Sequence, residues 1–203
     1  MDAEFWNNRY QEQVFAYGEE PNEFLADELR KLKPGKILFA AEGEGRNAVF
    51  AAELGWDVWA FDQSKEGQKK AFDLATKRGV KINYLVGDAA ALNWDLHSFD
   101  AIALIYSHLP PSIRTAFHHR SIDLLKNEGH IIMEGFSLNN LEYVAKNPAI
   151  GGPKNPDFLF SITMVEQDFH TLQTLVLEEV EIELHEGIYH NGTGSVIRYI
   201  GKK

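Results

Sequence analysis

The chain has 203 residues, 44% of them hydrophobic and 25% charged, a composition that suits one α/β domain with a full hydrophobic core. Its formal net charge of −10 repels a polyanion on average and no basic block interrupts it, so nucleic acid is disfavoured and the charge reads as a solvated acidic surface. The absence of cysteine excludes disulfides, thiolate nucleophiles and thiolate metal sites.

No apolar run approaches the ~18 residues needed to span a bilayer. The acidic, aromatic start Met1-Asp2-Ala3-Glu4-Phe5-Trp6 is not a secretory signal. A cytoplasmic protein without a membrane or metal partner is the expectation.

Along the chain, short β-rich apolar runs alternate with longer helical stretches, the pattern of a parallel sheet with crossover helices. Lys36–Ala40 is the first predicted strand, followed by a helix from Arg46 to Leu54 that stops at Gly55. Asp57–Phe61 is the second, ending at Asp62; Ser64 then caps a helix running to Arg78 and stopping at Gly79. Ile82–Val86 and Asp100–Ile105 are the third and fourth. Pro111 opens a helix carrying Ile113, Phe117, Ile122 and Leu125, and Gly129 precedes a fifth strand, Ile131–Glu134.

Residues 137–160 are rich in breakers (Asn139-Asn140, Pro148, Gly151-Gly152-Pro153, Asn155-Pro156) and read as a long loop, a lid or binding loop or else a disordered one. Thr163 and Glu166 form a capping-box pair ahead of a short helix. Leu175–Glu186 and Ser195–Lys202 read as the two strands of an antiparallel hairpin, with His190-Asn191-Gly192-Thr193-Gly194 as its turn. Five crossover strands and a terminal hairpin give one mixed sheet with helices on both faces. A single domain over 1–203 is expected, with 1–34 as an N-terminal cap segment and 137–160 as the lid loop.

Strand, glycine turn and helix is a geometry that anchors a nucleotide-like ligand. Gly43 and Gly45 allow a tight backbone turn near the ligand. Asp62, at the end of the second strand, can accept from both ribose hydroxyls at the spacing expected of an α/β nucleotide site. Gly43-Glu44-Gly45-Arg46-Asn47-Ala48 also fits a dinucleotide pattern, so an NAD(P)-dependent oxidoreductase stands beside other readings, as does an ordinary two-glycine turn. A third element, Gly87-Asp88-Ala89-Ala90 after the third strand, offers a carboxylate to an adenine amino group and a backbone N–H to a ring nitrogen. Asp88 as a plain turn residue is its bland alternative.

Several stretches together carry a family resemblance. They are Phe15-Ala16-Tyr17-Gly18…Pro21-Asn22, Glu42-Gly43-Glu44-Gly45-Arg46-Asn47-Ala48, Val58…Asp62-Gln63-Ser64 and Gly87-Asp88-Ala89. Phe99-Asp100, Leu125…Gly129-His130-Ile131-Ile132-Met133-Glu134, Gly151-Gly152-Pro153-Lys154 and Glu186-Gly187…His190-Asn191-Gly192 continue them through nearly the whole chain. The sequence resembles the class I methyltransferase superfamily in its small-molecule branch, most of all the tellurite-resistance-protein-B-like and thiopurine-methyltransferase-like proteins. Ala41, Phe39 and Glu42 depart from the commonest form of the loop. Glu42 either faces the cofactor's amino group or is a turn residue.

The resemblance implies a Rossmann-like, mostly parallel seven-stranded sheet with S-adenosylmethionine at its strand C-terminal ends. It implies cofactor contacts from Tyr17, Gly18, Ala41, Glu42, Gly43, Gly45, Arg46, Asn47, Asp62, Gln63, Ser64, Asp88, Ala89, Ile105 and Tyr106. The other partner would be a small-molecule methyl acceptor such as a thiol or a metalloid oxyanion, on a monomer or weak homodimer.

Methyl transfer from a sulfonium is in-line displacement of a good leaving group, so alignment does most of the work and a base matters only when the nucleophile must lose a proton. His108, after the fourth strand, can orient or deprotonate the acceptor, against a structural hydrogen-bonded role. The resemblance implies acceptor-facing residues in the hairpin, where His190 and Arg198 can bind an anionic acceptor, against roles as a turn histidine and a strand-edge arginine. A non-catalytic cofactor-binding module is the remaining alternative.

Overall fold

The computed structural model describes residues 2–89 and 94–203. Ala90, the last residue of the expected adenine turn, lies outside the described residues. β1 (Lys36–Ala40), β2 (Asp57–Asp62), β3 (Asn83–Val86), β4 (Phe99–Ile105) and β5 (Leu125–Phe136) run parallel. β6 (Gln173–Glu186) and β7 (His190–Lys202) form an antiparallel hairpin paired to β5 through β7. The order β3-β2-β1-β4-β5-β7-β6 makes one seven-stranded sheet. The helices are α1 (Ala3–Tyr10), α2 (Glu23–Lys31), α3 (Arg46–Glu53), α4 (Lys65–Arg78), α5 (Pro111–Leu124), α6 (Asn140–Lys146) and α7 (Ile162–Asp168).

Alternation along β1 explains the layering. Ile37 and Phe39 pack with Leu25 and Leu29 of α2, Ala48 and Ala51 of α3 and Ala71 of α4. Leu38 and Ala40 pack with Phe117 and Leu124 of α5 and Val165 of α7. Successive strand side chains face opposite sides, so a strand covered on both faces must be apolar throughout. The sequence winds outward in both directions from β1 and β4, and their C-terminal ends form the switch point where open α/β sheets bind ligands. No helix among the described residues is long and apolar enough to cross a membrane.

Local signals set several boundaries as expected. The Ser64 hydroxyl accepts from Gly67 N at 3.0 Å to cap α4, and Gly79 ends that helix at φ +71. Four details differ. The hairpin turn is Gly187–Tyr189 rather than 190–194, which belong to β7 and pair with β6. Gly192 and Gly194 make room for neighbours instead of turning: a Cβ would sit 2.6 Å from Asn147 Nδ2 at the first and 3.0 Å from Asn140 Oδ1 at the second.

The cap of α7 is Ser161, whose side chain accepts from Met164 N, so Thr163 is already inside the helix. β5 begins at Leu125, before Gly129. Residues 137–160 are not a bare loop either. They hold α6 and two 3₁₀ turns, Pro148–Ile150 and Pro156–Phe158, each opened by an asparagine side-chain cap followed by proline. Ile150 and Leu159 anchor this segment in a buried cluster with Phe136, Leu184 and Val196.

Candidate active site

A cavity of about 600 Å³ opens over the strand C-terminal ends. Its floor comes from the loops after β1, β2, β3 and β4: Ala41 and Glu42, then Asp62 and Gln63, then Gly87, Asp88 and Ala89, then Ile105 and Tyr106. Its far wall holds His108, Phe136, Gly152, Pro153, Lys154 and His190, and α1 with Tyr17 closes the remaining side. Arg46 and Asn47, at the start of α3, also line it.

The loop after β1 is braced from below. The backbone N–H of Gly43 donates to Asp62 Oδ2 at 3.1 Å, and that of Ser64 donates to Asp62 Oδ1 at 2.8 Å. A carboxylate offers about four lone-pair positions, so Asp62 keeps acceptor capacity for ligand hydroxyls. Burial raises its pKa to about 6, against the opposing N–H groups of Ser64, Gly43 and Gln63.

Glu42 is held by the first turn of α3. It lines the cavity, and its Oε1 accepts from Asn47 N at 2.9 Å and Ala48 N at 2.8 Å, placing an acid on the positive end of α3. Burial pushes it to about 7, against those donors and Arg46. Ala41 and Tyr106 sit at φ +54 and +49, a left-handed geometry that side-chain-bearing residues adopt at a cost and that clusters at functional sites.

Not every expected residue faces the cavity. Gly43 and Gly45 do not line it; their missing side chains leave room for the protein itself. A Cβ would meet Tyr10 Oη at 2.6 Å at Gly43, and Ala71 Cβ at 2.5 Å at Gly45. Ser64 is a helix cap, and Gly18 abuts Gly187 at the hairpin tip. Arg198 is absent from the cavity as well. Its Nε donates to Glu134 Oε2 at 2.7 Å and its guanidinium lies over Phe24, so it neutralises a buried acid instead of meeting an acceptor.

The two histidines in the wall differ sharply. His108 Nδ1 lies 2.8 Å from the Phe158 carbonyl, and its Nε2 is 3.2 Å from Phe136 N. A carbonyl only accepts and an amide N–H only donates, so Nδ1 carries the proton and both nitrogens are committed to backbone. Burial lowers the pKa to about 4, against the Phe158 carbonyl. The orienting or deprotonating role expected of His108 is therefore replaced by a structural one.

His190 Nδ1 is 2.9 Å from Glu186 Oε2, and Arg46 Nη2 is also 2.9 Å from that oxygen. Burial would raise Glu186, but Arg46 and the His190 hydrogen bond more than reverse it and hold it near 2. An ionised Glu186 fixes the proton on Nδ1. Nε2 then has a free lone pair at the cavity wall, with no protein partner among the described residues. Burial lowers the His190 pKa, with Arg46 and Arg9 adding to the effect and Glu186 opposing it, so the ring is neutral near pH 7.

Sequence reasoning gave no role to the acids behind this wall. Buried Glu134 accepts from Asn22 Nδ2 at 2.6 Å and Tyr106 Oη at 3.3 Å, and Asn22 Nδ2 also reaches Glu186 Oε1 at 3.2 Å. Arg198, Glu134, Asn22, Glu186, Arg46 and His190 thus form one connected polar network. The Glu186–His190 spacing across a glycine turn was the one usable signal. Among the described residues no cluster of three or more His, Asp or Glu is arranged to hold a metal ion.

Residues 37–129 match the family model described as a methyltransferase domain. A glycine/sarcosine N-methyltransferase of Halorhodospira halochloris is 37% identical over 91 residues, covering 43% of this chain and 34% of the relative. The chain therefore spans about a third of that curated relative's length. A solved structure from echinomycin biosynthesis, concerning conversion of a disulfide bond into a thioacetal group, aligns with TM-score 0.77 at 19% identity, over 99% of this chain and 92% of that one. TehB from Haemophilus influenzae aligns with TM-score 0.73 at 15% identity, over 99% of this chain and 66% of that one. These two likenesses establish a shared fold.

Proposed function

We propose that the chain is an S-adenosylmethionine-dependent methyltransferase for a small-molecule acceptor. The observation that carries this is the cavity itself. One side presents Asp62, Asp88 and the Ala41–Glu42 loop at consecutive strand ends, and the other presents a neutral imidazole with one free nitrogen. The methyltransferase-domain match over residues 37–129 and the resemblance of one curated relative support the same reading.

The residues present fit the cofactor. Asp62 has acceptor capacity for ribose hydroxyls, Asp88 stands where an adenine amino group can donate, and Ile105 with Ala89 offers apolar surface to a base. Glu42 and Asp62 suit a ligand of positive charge, and Tyr17 and Tyr106 border the opposite end. Bound there, S-adenosylmethionine would supply an activated methyl group for in-line transfer.

The chain's own contribution is enclosure and proton handling. Residues of α1 and the stretch 152–154 line the cavity, and enclosure by them would keep water from the reacting atoms. Tyr17, Tyr106 and Phe136 surround the His190 ring at centroid distances of 4.5, 4.6 and 5.1 Å, fixing the direction of Nε2. His190 Nε2 accepts the acceptor's proton, and Glu186 stabilises the resulting imidazolium. A thiol, amine or hydroxyl acceptor uses this step, whereas an acceptor already anionic would not.

Calorimetric titration with S-adenosylhomocysteine and with NADH tests the cofactor. Binding of the first and not the second is expected. Tight binding of NADH alone would make the chain an oxidoreductase.

A further inference from the structure

One cation in the cavity wall has no task in the chemistry above. Arg9, on α1, lines the cavity. Its Nη1 donates to Tyr17 Oη at 2.9 Å. Its guanidinium carbon lies 4.1 Å from the ring centroid of Tyr189, 4.9 Å from Phe5 and 5.7 Å from Trp6. These rings hold the planar group in one orientation without neutralising it.

The other arginines are spoken for. Arg30, Arg46, Arg78, Arg114 and Arg198 each have a carboxylate within 4 Å, and Arg120 donates to the Trp94 carbonyl. Arg9 has no carboxylate partner among the described residues, in a chain with 30 acidic side chains. One of its five N–H donors is used by Tyr17, which leaves enough for a bidentate contact. Lys154 also lines the cavity, but it is a flexible, exposed side chain on the 151–154 loop.

Location decides what such a group is for. Tyr17 links Arg9 to His190: its hydroxyl accepts from the guanidinium, and its ring centroid lies 4.5 Å from that of the imidazole with the planes tilted by 52°. Arg9 is also near enough to His190 to oppose its protonation. A guanidinium with no carboxylate partner is complemented by an anion.

We infer that Arg9 receives a carboxylate, or an anion of the same bidentate geometry, on the methyl acceptor, so that the acceptor's nucleophilic atom is presented to His190. This rests on the proposed function. It narrows the acceptor to small molecules carrying both an anion and an ionisable nucleophile. The carboxylate of the cofactor's own amino-acid end has the same chemistry, and the experiment must separate the two sources.

The probes are 2-mercaptobenzoate, 3-mercaptopropionate and sarcosine, each paired with its neutral methyl ester. Methylation by the full chain is followed with S-adenosylmethionine present. At least one acid should exceed its ester in kcat/KM by roughly tenfold or more, the scale of a lost charge-assisted contact. Arg9→Gln should erase that preference through KM and leave S-adenosylhomocysteine affinity unchanged. Arg9→Lys should keep part of the preference, and Lys154→Gln should keep all of it.

The inference is overturned if no acid is preferred, or if Lys154→Gln rather than Arg9→Gln removes the preference. It is also overturned if Arg9→Gln weakens S-adenosylhomocysteine binding while acid KM stays fixed, which gives Arg9 to the cofactor. Failure of the proposed function reads differently: the unaltered chain then binds no S-adenosylhomocysteine before any acceptor is added.

Discussion

His108 and His190 face the same cavity from two regions built in opposite ways. His108 follows β4, at the part of the far wall that adjoins the strand-end loops, where each contributing segment is a short turn after its own strand. His190 stands in the hairpin wall, held by groups from α3, the Asn22 turn and β6. Both rings are enclosed and neutral, yet one has both nitrogens tied to backbone and the other has a free lone pair. Burial and a cavity position therefore do not identify a proton acceptor; the inventory of partners on each ring nitrogen does.

The largest expected effect breaks this contrast directly. His190→Gln should lower kcat on a thiol or amine acceptor by about 10²–10⁴-fold, the usual weight of a general base, with S-adenosylhomocysteine affinity little changed in calorimetry. Glu186→Gln should act in the same direction and move the acid limb of the pH–rate profile to lower pH. Loss of the carboxylate disfavours the imidazolium and lowers the His190 pKa. An unchanged profile in either variant would remove His190 from the chemistry.

His108 should respond in stability instead. His108→Leu orphans the Phe158 carbonyl and the Phe136 N–H, at about 1–3 kcal/mol for each buried group left unsatisfied. Denaturant unfolding measures it. The folded-state pKa of about 4 lies below the ordinary histidine value of 6.5, so the unfolded chain binds the proton more readily. The His108 contribution is then complete above about pH 6.5 and is lost as pH falls from there through 4, by up to about 3 kcal/mol. His108→Leu should flatten that part of the acid dependence; a variant as acid-sensitive as the parent would contradict it.

The same contrast explains how much could be read in advance. The strand-end wall was legible because its signals are local: an apolar run, a glycine turn, then Asp62 or Asp88 at a countable spacing. A single, mostly parallel sheet followed from the alternation of elements. The hairpin wall was not legible, because Arg198, Glu134, Asn22, Glu186 and Arg46 meet only after the sheet has formed. Arg198 and Arg46 look alike in sequence, and only the fold gives one to Glu134 and the other to Glu186. The hairpin turn was misplaced for a related reason, since Gly192 and Gly194 answer to α6 and its following turn rather than to their own chain direction.

At the strand-end wall a smaller effect tests the cofactor side. Asp62 has a pKa near 6, and ribose hydroxyls donate best to its ionised form. The dissociation constant for S-adenosylhomocysteine should be flat above about pH 8, where Glu42 and Asp62 are both ionised, and rise by at least about tenfold per pH unit below 6. Asp62→Asn should raise it at least about tenfold at pH 8 and make the rise below pH 6 less steep by one proton. Affinity unaltered in the variant would remove Asp62 from the cofactor site.

The smallest effect separates local backbone cost from packing within that wall. Ala41 pays for a left-handed conformation, φ +54, at roughly 1–2 kcal/mol. Glycine would relieve this but adds about 0.5–1 kcal/mol of unfolded-state entropy. Ala41→Gly should therefore stabilise the chain by at most about 1.5 kcal/mol, seen as a small rise in thermal midpoint, with the chemistry of the hairpin wall unaffected. Gly45→Ala, four residues on, should destabilise clearly, because its new Cβ would lie 2.8 Å from Ala71 Cα, a backbone atom that cannot swing aside. If the two substitutions shifted stability in the same direction, the loop would be governed by something other than φ at Ala41 and contact at Gly45.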